Sequence, residues 1–109
     1  MNEYGEPLDS NGYAPSLVED QCTNDGYVCC YICGRTDRAL QRHEIFHGAL
    51  RDKSKKYGCW CLLCYECHSN VHGGKADEDA LKRRFQQLAQ EHYEWTREDF
   101  IRTFGKNFL

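Results

Sequence analysis

The stretch Leu63-Cys64-Tyr65-Glu66-Cys67-His68-Ser69-Asn70-Val71-His72 sets the terms for the whole chain. Two residues between Cys64 and Cys67 let one tight turn aim both thiolates at a single ion. A second unit of the same spacing, Cys30-Tyr31-Ile32-Cys33, supplies the other half of a tetrahedral four-thiolate zinc site. Cys61-x2-Cys64 also fits the spacing. The Cys64/Cys67 register is preferred because Leu62-Leu63 read as buried strand and a helix opens at the second knuckle. Cys22, Cys29, Cys59 and Cys61 are then left over, and read as small buried hydrophobes. A site closed by four thiolates is a structural staple with no open position for chemistry.

Immediately after the knuckle come His68 and His72, four residues apart. On a helix that spacing puts both imidazoles on one face, where they can meet one ion. Between the knuckles lie 30 residues, Gly34 to Leu63. Plain zinc ribbons and fingers use about 15–20 there. The extra length holds Arg42-His43-Glu44-Ile45-Phe46-His47, and His43 or Glu44 is a candidate third ligand from a strand. One strand ligand with two helix histidines leaves coordination positions open for water and phosphate, as a catalytic metal site requires.

Further out, the periodicities point to a small α+β domain. Arg38 to Phe46 alternates as a strand, with Leu40, Arg42, Glu44 and Phe46 on one side and Gln41, His43 and Ile45 on the other. On that pattern His47 falls on the opposite face from Glu44. Cys59–Leu63 is the second strand, and Gly48 to Gly58 reads as a polar, basic loop. Gly26 to Cys33 reads as a short strand entering the first knuckle. Gly73-Gly74 ends the helix that the second knuckle opens. Leu81, Phe85, Leu88 and His92 mark one face of a helix from about Asp77 to Glu94. Thr96-Arg97-Glu98-Asp99 approximates a capping box and opens a short helix that ends near Gly105. Phe100, Ile101, Phe104, Phe108 and Leu109 are candidate core. Residues 1–24 form an acidic N-terminal segment expected to be poorly ordered at least to about Pro15, and 25–109 the zinc domain with its C-terminal helices.

The composition narrows the function classes. The chain has 109 residues, eight cysteines and five histidines, so a metal staple substitutes for part of a small core. It has no apolar run long enough to span a membrane, and its acidic, polar start does not read as a signal peptide. A reducing, cytoplasmic setting is the expectation, which favours metal ligation over disulfides. Net charge is −3, but unevenly spread. Residues 1–29 carry six acids and no Lys or Arg, whereas 30–75 carry eight bases and four acids, a local +4. Arg51, Lys53, Lys55 and Lys56 are the densest basic run and, with Arg42, the candidate contacts to a phosphate backbone.

Cys-x2-Cys, Arg42-His43-Glu44-Ile45-Phe46 and Leu63-Cys64-x2-Cys67-His68-x3-His72 together resemble the HNH (ββα-metal, or His-Me finger) endonuclease superfamily. In particular the chain resembles small phage and prophage HNH-like proteins, which share a Lys-Tyr-Gly segment (here Lys56-Tyr57-Gly58) and a closing Phe-Gly-Lys-Asn-aromatic-Leu tail (Phe104 to Leu109), and this implies a chain encoded by a phage or at work in a bacterial host cell. The resemblance covers about residues 28–109. It implies a ββα-metal core in which two strands and a helix cradle one divalent ion, Mg²⁺, Mn²⁺, Ni²⁺ or Zn²⁺, for phosphodiester hydrolysis. Position by position, it makes His43 a metal ligand and His68 and His72 the helix ligands. It puts Glu44 where the family's base histidine stands, leaving Glu44 or His47 as the general base. The family's central asparagine has no counterpart, since no Asn lies between Asn24 and Asn70.

The leading expectation is therefore a metal-dependent endonuclease acting on nucleic acid, with DNA the expected form. The alternative is a non-catalytic zinc module of the same fold that binds DNA or a protein. A third reading uses Phe85, Tyr93, Trp95, Phe100 and Phe104 as a partner face, against the simpler one that they pack on the strands. Oligomeric state is not legible in the sequence.

Overall fold

A computed structural model describes residues 1–19, 23–24 and 26–109, and Cys22 lies outside them. Two short strands, β1 (Thr23–Asn24) and β2 (Tyr27–Val28), pair antiparallel ahead of the first knuckle. The main hairpin is β3 (Leu40–Glu44) against β4 (Trp60–Cys64), and between them lie a single 3-10 turn (Gly48–Leu50) and helix α1 (Arg51–Lys56). Helices α2 (Tyr65–Gly73), α3 (Lys75–Tyr93) and α4 (Arg97–Phe104) follow. The result is a small α+β fold. No helix among the described residues is long and apolar enough to cross a membrane.

The register of the hairpin positions the site. His43 is opposite Cys61 and Gln41 opposite Leu63, while Arg42 and Glu44 face Leu62 and Trp60. Directly opposed residues share a face, so His43 and Gln41 point to one side of the hairpin and Arg42 and Glu44 to the other. Past Glu44 the alternation breaks. Ile45 and Phe46 are both buried, and the Phe46 N–H donates to Ser54 Oγ rather than to a strand. His47 consequently turns back towards the pocket that Glu44 also lines, instead of the opposite face expected from an unbroken strand.

The segment read as a basic loop is largely helical. Asp52 in the first turn of α1 and Lys53, Lys55 and Lys56 in the last complement the helix dipole. Ser54 at its centre is fully buried and donates to the Cys59 carbonyl, tying the helix to the start of β4. Gly58 (φ +75°) takes a backbone conformation that favours glycine, and a Cβ there would sit 2.4 Å from the Pro15 carbonyl oxygen.

That close approach reflects a second difference. The acidic composition of the first 15 residues suggests little order, yet this segment crosses the hairpin with Asn2, Ala14, Ser16 and Val18 buried. The Ala14 N–H donates to the Lys55 carbonyl, the Leu17 N–H to the Gly58 carbonyl, and Trp60 Nε1 to the Ala14 carbonyl at 2.7 Å. Tyr4 packs within 5.0–6.3 Å of the rings of Tyr57, Tyr93 and Trp95. A few apolar side chains and backbone hydrogen bonds outweigh the unfavourable average composition.

The core is aromatic. Phe46 lies between Phe100, Phe104 and Phe108, with ring centres 4.8–5.7 Å away. Phe85, Gln86 and Ala89 form the buried stripe of α3, with Leu81 and Leu88 partly covered. Gln86 is buried because its amide is satisfied. It donates to Gln90 and Asn107 and accepts the Phe108 N–H at 2.7 Å, which pins the C-terminal tail. His92 does not continue that stripe; it is exposed and pairs with Glu6. Ile101 and Leu109 are likewise exposed rather than core. Helix α4 opens with the expected Thr96/Asp99 capping box and closes at Gly105 (φ +82°).

Candidate metal centres

Four cysteines converge where the first knuckle meets the β4–α2 junction. The sulfurs of Cys30, Cys33, Cys64 and Cys67 lie within 4.8 Å of one another, and Cys33 and Cys64 are 3.8 Å apart. A tetrahedron of sulfurs with Zn–S bonds of about 2.3 Å has edges of about 3.8 Å, so the spacing fits zinc. These four residues could hold a metal ion such as zinc. Cys61 is not among them. Three residues before Cys64 on a strand, its side chain points to the other face, where it is fully buried. Cys29 and Cys59 are buried too.

The environment of the thiols favours anionic sulfur at one position. Burial opposes ionisation of Cys30, but backbone N–H groups of Cys33, Cys64 and Ile32 outweigh it and lower its pKa to about 7. Burial and the neighbouring thiols push Cys67 up. Crowded thiols that resist joint ionisation are the expected metal-free state of a thiolate cage, and a dication reverses that balance. Cys59 is different: burial alone raises it, as for an inert core thiol.

Nitrogen atoms of His43, His68 and His72 also lie within 4.8 Å of one another. His43 comes from β3 and is buried, while His68 and His72 come from successive turns of α2. The Nε2 atoms of His68 and His72 are 3.0 Å apart. Ligands on bonds of 2.0–2.1 Å are separated by about 2.8–3.4 Å between right-angle and tetrahedral geometry, so two imidazoles sharing one ion fit this distance. Gln41 Oε1 lies 2.8 Å from His68 Nδ1. An amide oxygen only accepts, so Nδ1 carries the proton and Nε2 keeps its lone pair towards the cluster. Burial and the neighbouring imidazoles lower the pKa of His43 to about 4, which keeps that ring neutral and able to ligate.

The three histidines form part of an open pocket of about 240 Å³, completed by Arg42, Glu44, His47 and Arg51. Glu44 Oε1 accepts a 3.6 Å ion pair from Arg51 Nε. His47 Nε2 is 2.8 Å from Glu78 Oε1, and Lys82 Nζ lies 2.9 Å from the same oxygen. Glu78 and Gln41 were not singled out in the sequence. An acid in the first turn of a helix and a polar residue on a strand are too common to stand out, and only their distances to histidines reveal a role.

The basic residues are more dispersed than their sequence cluster implies. Arg42 and Arg51 edge the pocket. Lys55 lies over the Tyr13 ring, and Lys56 pairs with Glu3 and lies over Tyr57. Lys53 is exposed.

No family model matches the chain, and no curated protein or solved structure matches it either. The assignment of chemistry therefore rests on the residues themselves. They present two donor sets of contrasting kind that share one short helix, α2, which gives Cys67 to one and His68 and His72 to the other. All-sulfur ligands close one set, while nitrogen ligands leave the other open to a pocket.

Proposed function

We propose that the chain is an HNH-like, metal-dependent endonuclease that hydrolyses DNA phosphodiester bonds. The observation that carries this reading is the meeting of His43, His68 and His72 at the floor of an open pocket that also holds Glu44, His47, Arg42 and Arg51. The order β3, β4, α2, with one imidazole from the strand and two from the helix, supports a ββα-metal core. A divalent cation held by the three histidines would supply Lewis-acid stabilisation of charge on the scissile phosphate.

Each remaining task falls to a side chain of this protein. Cys30, Cys33, Cys64 and Cys67 bind zinc as a structural staple. Arg42 and Arg51 hold phosphate oxygens at the pocket mouth. His47 is the better general base of the two candidates. Its Nε2 is engaged by the Glu78 carboxylate, which orients the ring and stabilises the imidazolium formed when the other nitrogen takes a proton from water. Glu44 is engaged by Arg51 in a 3.6 Å ion pair, which leaves it less free to take a proton from water.

The purified protein should nick plasmid DNA with Mg²⁺, Mn²⁺, Ni²⁺ or Zn²⁺, and His43→Ala should stop it. Absence of cleavage with every one of these ions, at protein concentrations that saturate DNA, overturns the catalytic reading. The Glu44–Arg51 pair also favours a second reading, a non-catalytic zinc module, because it occupies the position where the family's base stands. Metal counting separates the two. One tight zinc per chain, unchanged in His68→Ala and His72→Ala, supports the module, and a second, exchangeable ion lost in those variants supports the enzyme.

A further inference from the structure

The N-terminal segment places one carboxylate on a cation of the pocket. Asp9 Oδ1 accepts the backbone N–H groups of Asn11 and Tyr13, and Oδ2 lies 3.1 Å from Arg42 Nη2. The Arg42 guanidinium is stacked 4.1 Å from the centre of the Tyr13 ring and 5.1 Å from that of Trp60. Lys55 approaches the same Tyr13 ring at 5.0 Å. Two cations thus share one aromatic ring, and an acid of the chain itself neutralises the one that edges the histidine pocket.

The anchoring of this segment is uneven. Asn2 is buried and donates to the Lys56 carbonyl, and Ala14, Ser16 and Val18 are buried at the other end. Between these anchors Pro7, Asp9, Ser10 and Asn11 are exposed, and the Asp9–Arg42 pair is itself more than a third exposed on both sides. Exposed ion pairs of this kind are weak and exchange readily for another anion. A planar guanidinium held on aromatic faces is pre-set for bidentate phosphate binding.

We propose that Arg42 and Lys55, set around Tyr13, form a binding face for successive phosphates of a nucleic-acid strand, and that the loop carrying Asp9 is a tethered competitor that masks it. Asp9 holds the place of a phosphate until a strand displaces it. Lifting the loop breaks the hydrogen bonds between Asp9 and Tyr13 but leaves the buried Asn2 and Ala14 anchors on either side in place. Masking lowers affinity for short or isolated strands and spares long ones, whose many phosphates compete together. This inference rests on the nucleic-acid reading of the pocket and concerns how that pocket is regulated, not its chemistry.

The test is DNA binding by fluorescence anisotropy, with full-length protein carrying zinc and a 20-nucleotide duplex, across a salt series. Asp9→Asn keeps the oxygen that accepts from Asn11 and Tyr13 and removes only the charge. It should tighten binding about three- to tenfold, and should steepen the slope of log affinity against log salt by about 0.9, one further phosphate contact. In an Arg42→Gln background the same change should have no effect. Thermal melts of each variant verify folding. Equal affinity and slope for wild type and Asp9→Asn, or an Asp9→Asn gain that persists without Arg42, overturns the inference, as does an absence of binding by both proteins. Plasmid nicking is scored separately. Cleavage with no Asp9 effect leaves the nuclease reading standing without the mask, and an Arg42-dependent Asp9 effect with no cleavage leaves the mask standing on a non-catalytic binder.

Discussion

His47 and Glu78, 31 residues apart in sequence, meet at 2.8 Å across the edge of the histidine pocket. The Glu78 carboxylate also takes Lys82 Nζ, and these two contacts, Lys82 first, hold its pKa below the usual carboxylate range. It therefore stays anionic beside His47 throughout the neutral range. Glu78→Gln should lower the rate of plasmid nicking about tenfold or more while leaving zinc content unchanged, since a neutral amide orients the ring without stabilising its cation. An unchanged single-turnover rate would remove His47 from the proposed chemistry.

Gln41 acts on the imidazole side of the same pocket. Gln41→Leu removes the acceptor that holds His68 Nδ1 protonated. The expected effect is a loss of about 10–100-fold in affinity at the histidines, the usual cost of losing such an outer partner. Titration with Co²⁺ reads both sites, because thiolate and imidazole ligation give distinct absorption bands. The thiolate band should be unaffected.

The thiolate cluster should be tied to folding. Cys64 is buried at the end of β4, and its sulfur lies 3.8 Å from that of Cys33 on the first knuckle. Cys64→Ser, or chelation at neutral pH, should abolish the cooperative thermal transition seen by circular dichroism, and readdition of zinc should restore it only in the unmutated chain. A cooperative transition at the same temperature after verified zinc removal would refute a structural role.

How much of this was legible in the sequence varies by element. The two knuckles and the His68/His72 pair were readable because metal ligands need fixed spacings that few other constraints produce. The capping box of α4 follows from an equally local rule, whereas the stripe of α3 was legible only in part: Phe85 is buried as expected, but Gln86 and Ala89 are buried beside it and His92 is exposed. The break after Glu44 was not readable: two buried residues in succession, Ile45 and Phe46, end the strand through contacts with α1 and the aromatic core. Nor was the packing of residues 1–19, where average composition concealed Ala14 and Val18. Gln41 and Glu78 matter only through partners 27 and 31 residues away, a separation that no local pattern encodes.

The buried, neutral His43 carries a pH signature. Its pKa falls from 6.5 to about 4 in the fold, so between these values the unfolded chain binds more protons. Stability from this residue is complete above about pH 6.5 and declines as pH drops towards about 4. Compared by urea denaturation, wild type should lose stability over that window more steeply than His43→Gln, whose side chain does not titrate. Parallel curves for the two proteins would mean that the ring is protonated in the fold.

Phe46 links the hairpin to the C-terminal helix through Phe100, Phe104 and Phe108. Phe46→Ala should cost about 3–5 kcal/mol, as other large-to-small changes at fully buried aromatics do. Leu109→Ala, at an exposed terminus, should shift the urea midpoint little.

Cys67 and His68 are neighbours in α2, yet one faces the sulfur cluster and the other the imidazole cluster. On the proposed reading, this adjacency would impose an order on maturation. If the knuckle seats the first turn of α2 and so presents His68 to His43, a newly made chain would acquire its thiolate zinc first and its pocket ion second. A cell short of zinc would accumulate chains whose reactive half had never been assembled, and supply of the metal that does no chemistry would then govern how much chemistry is done.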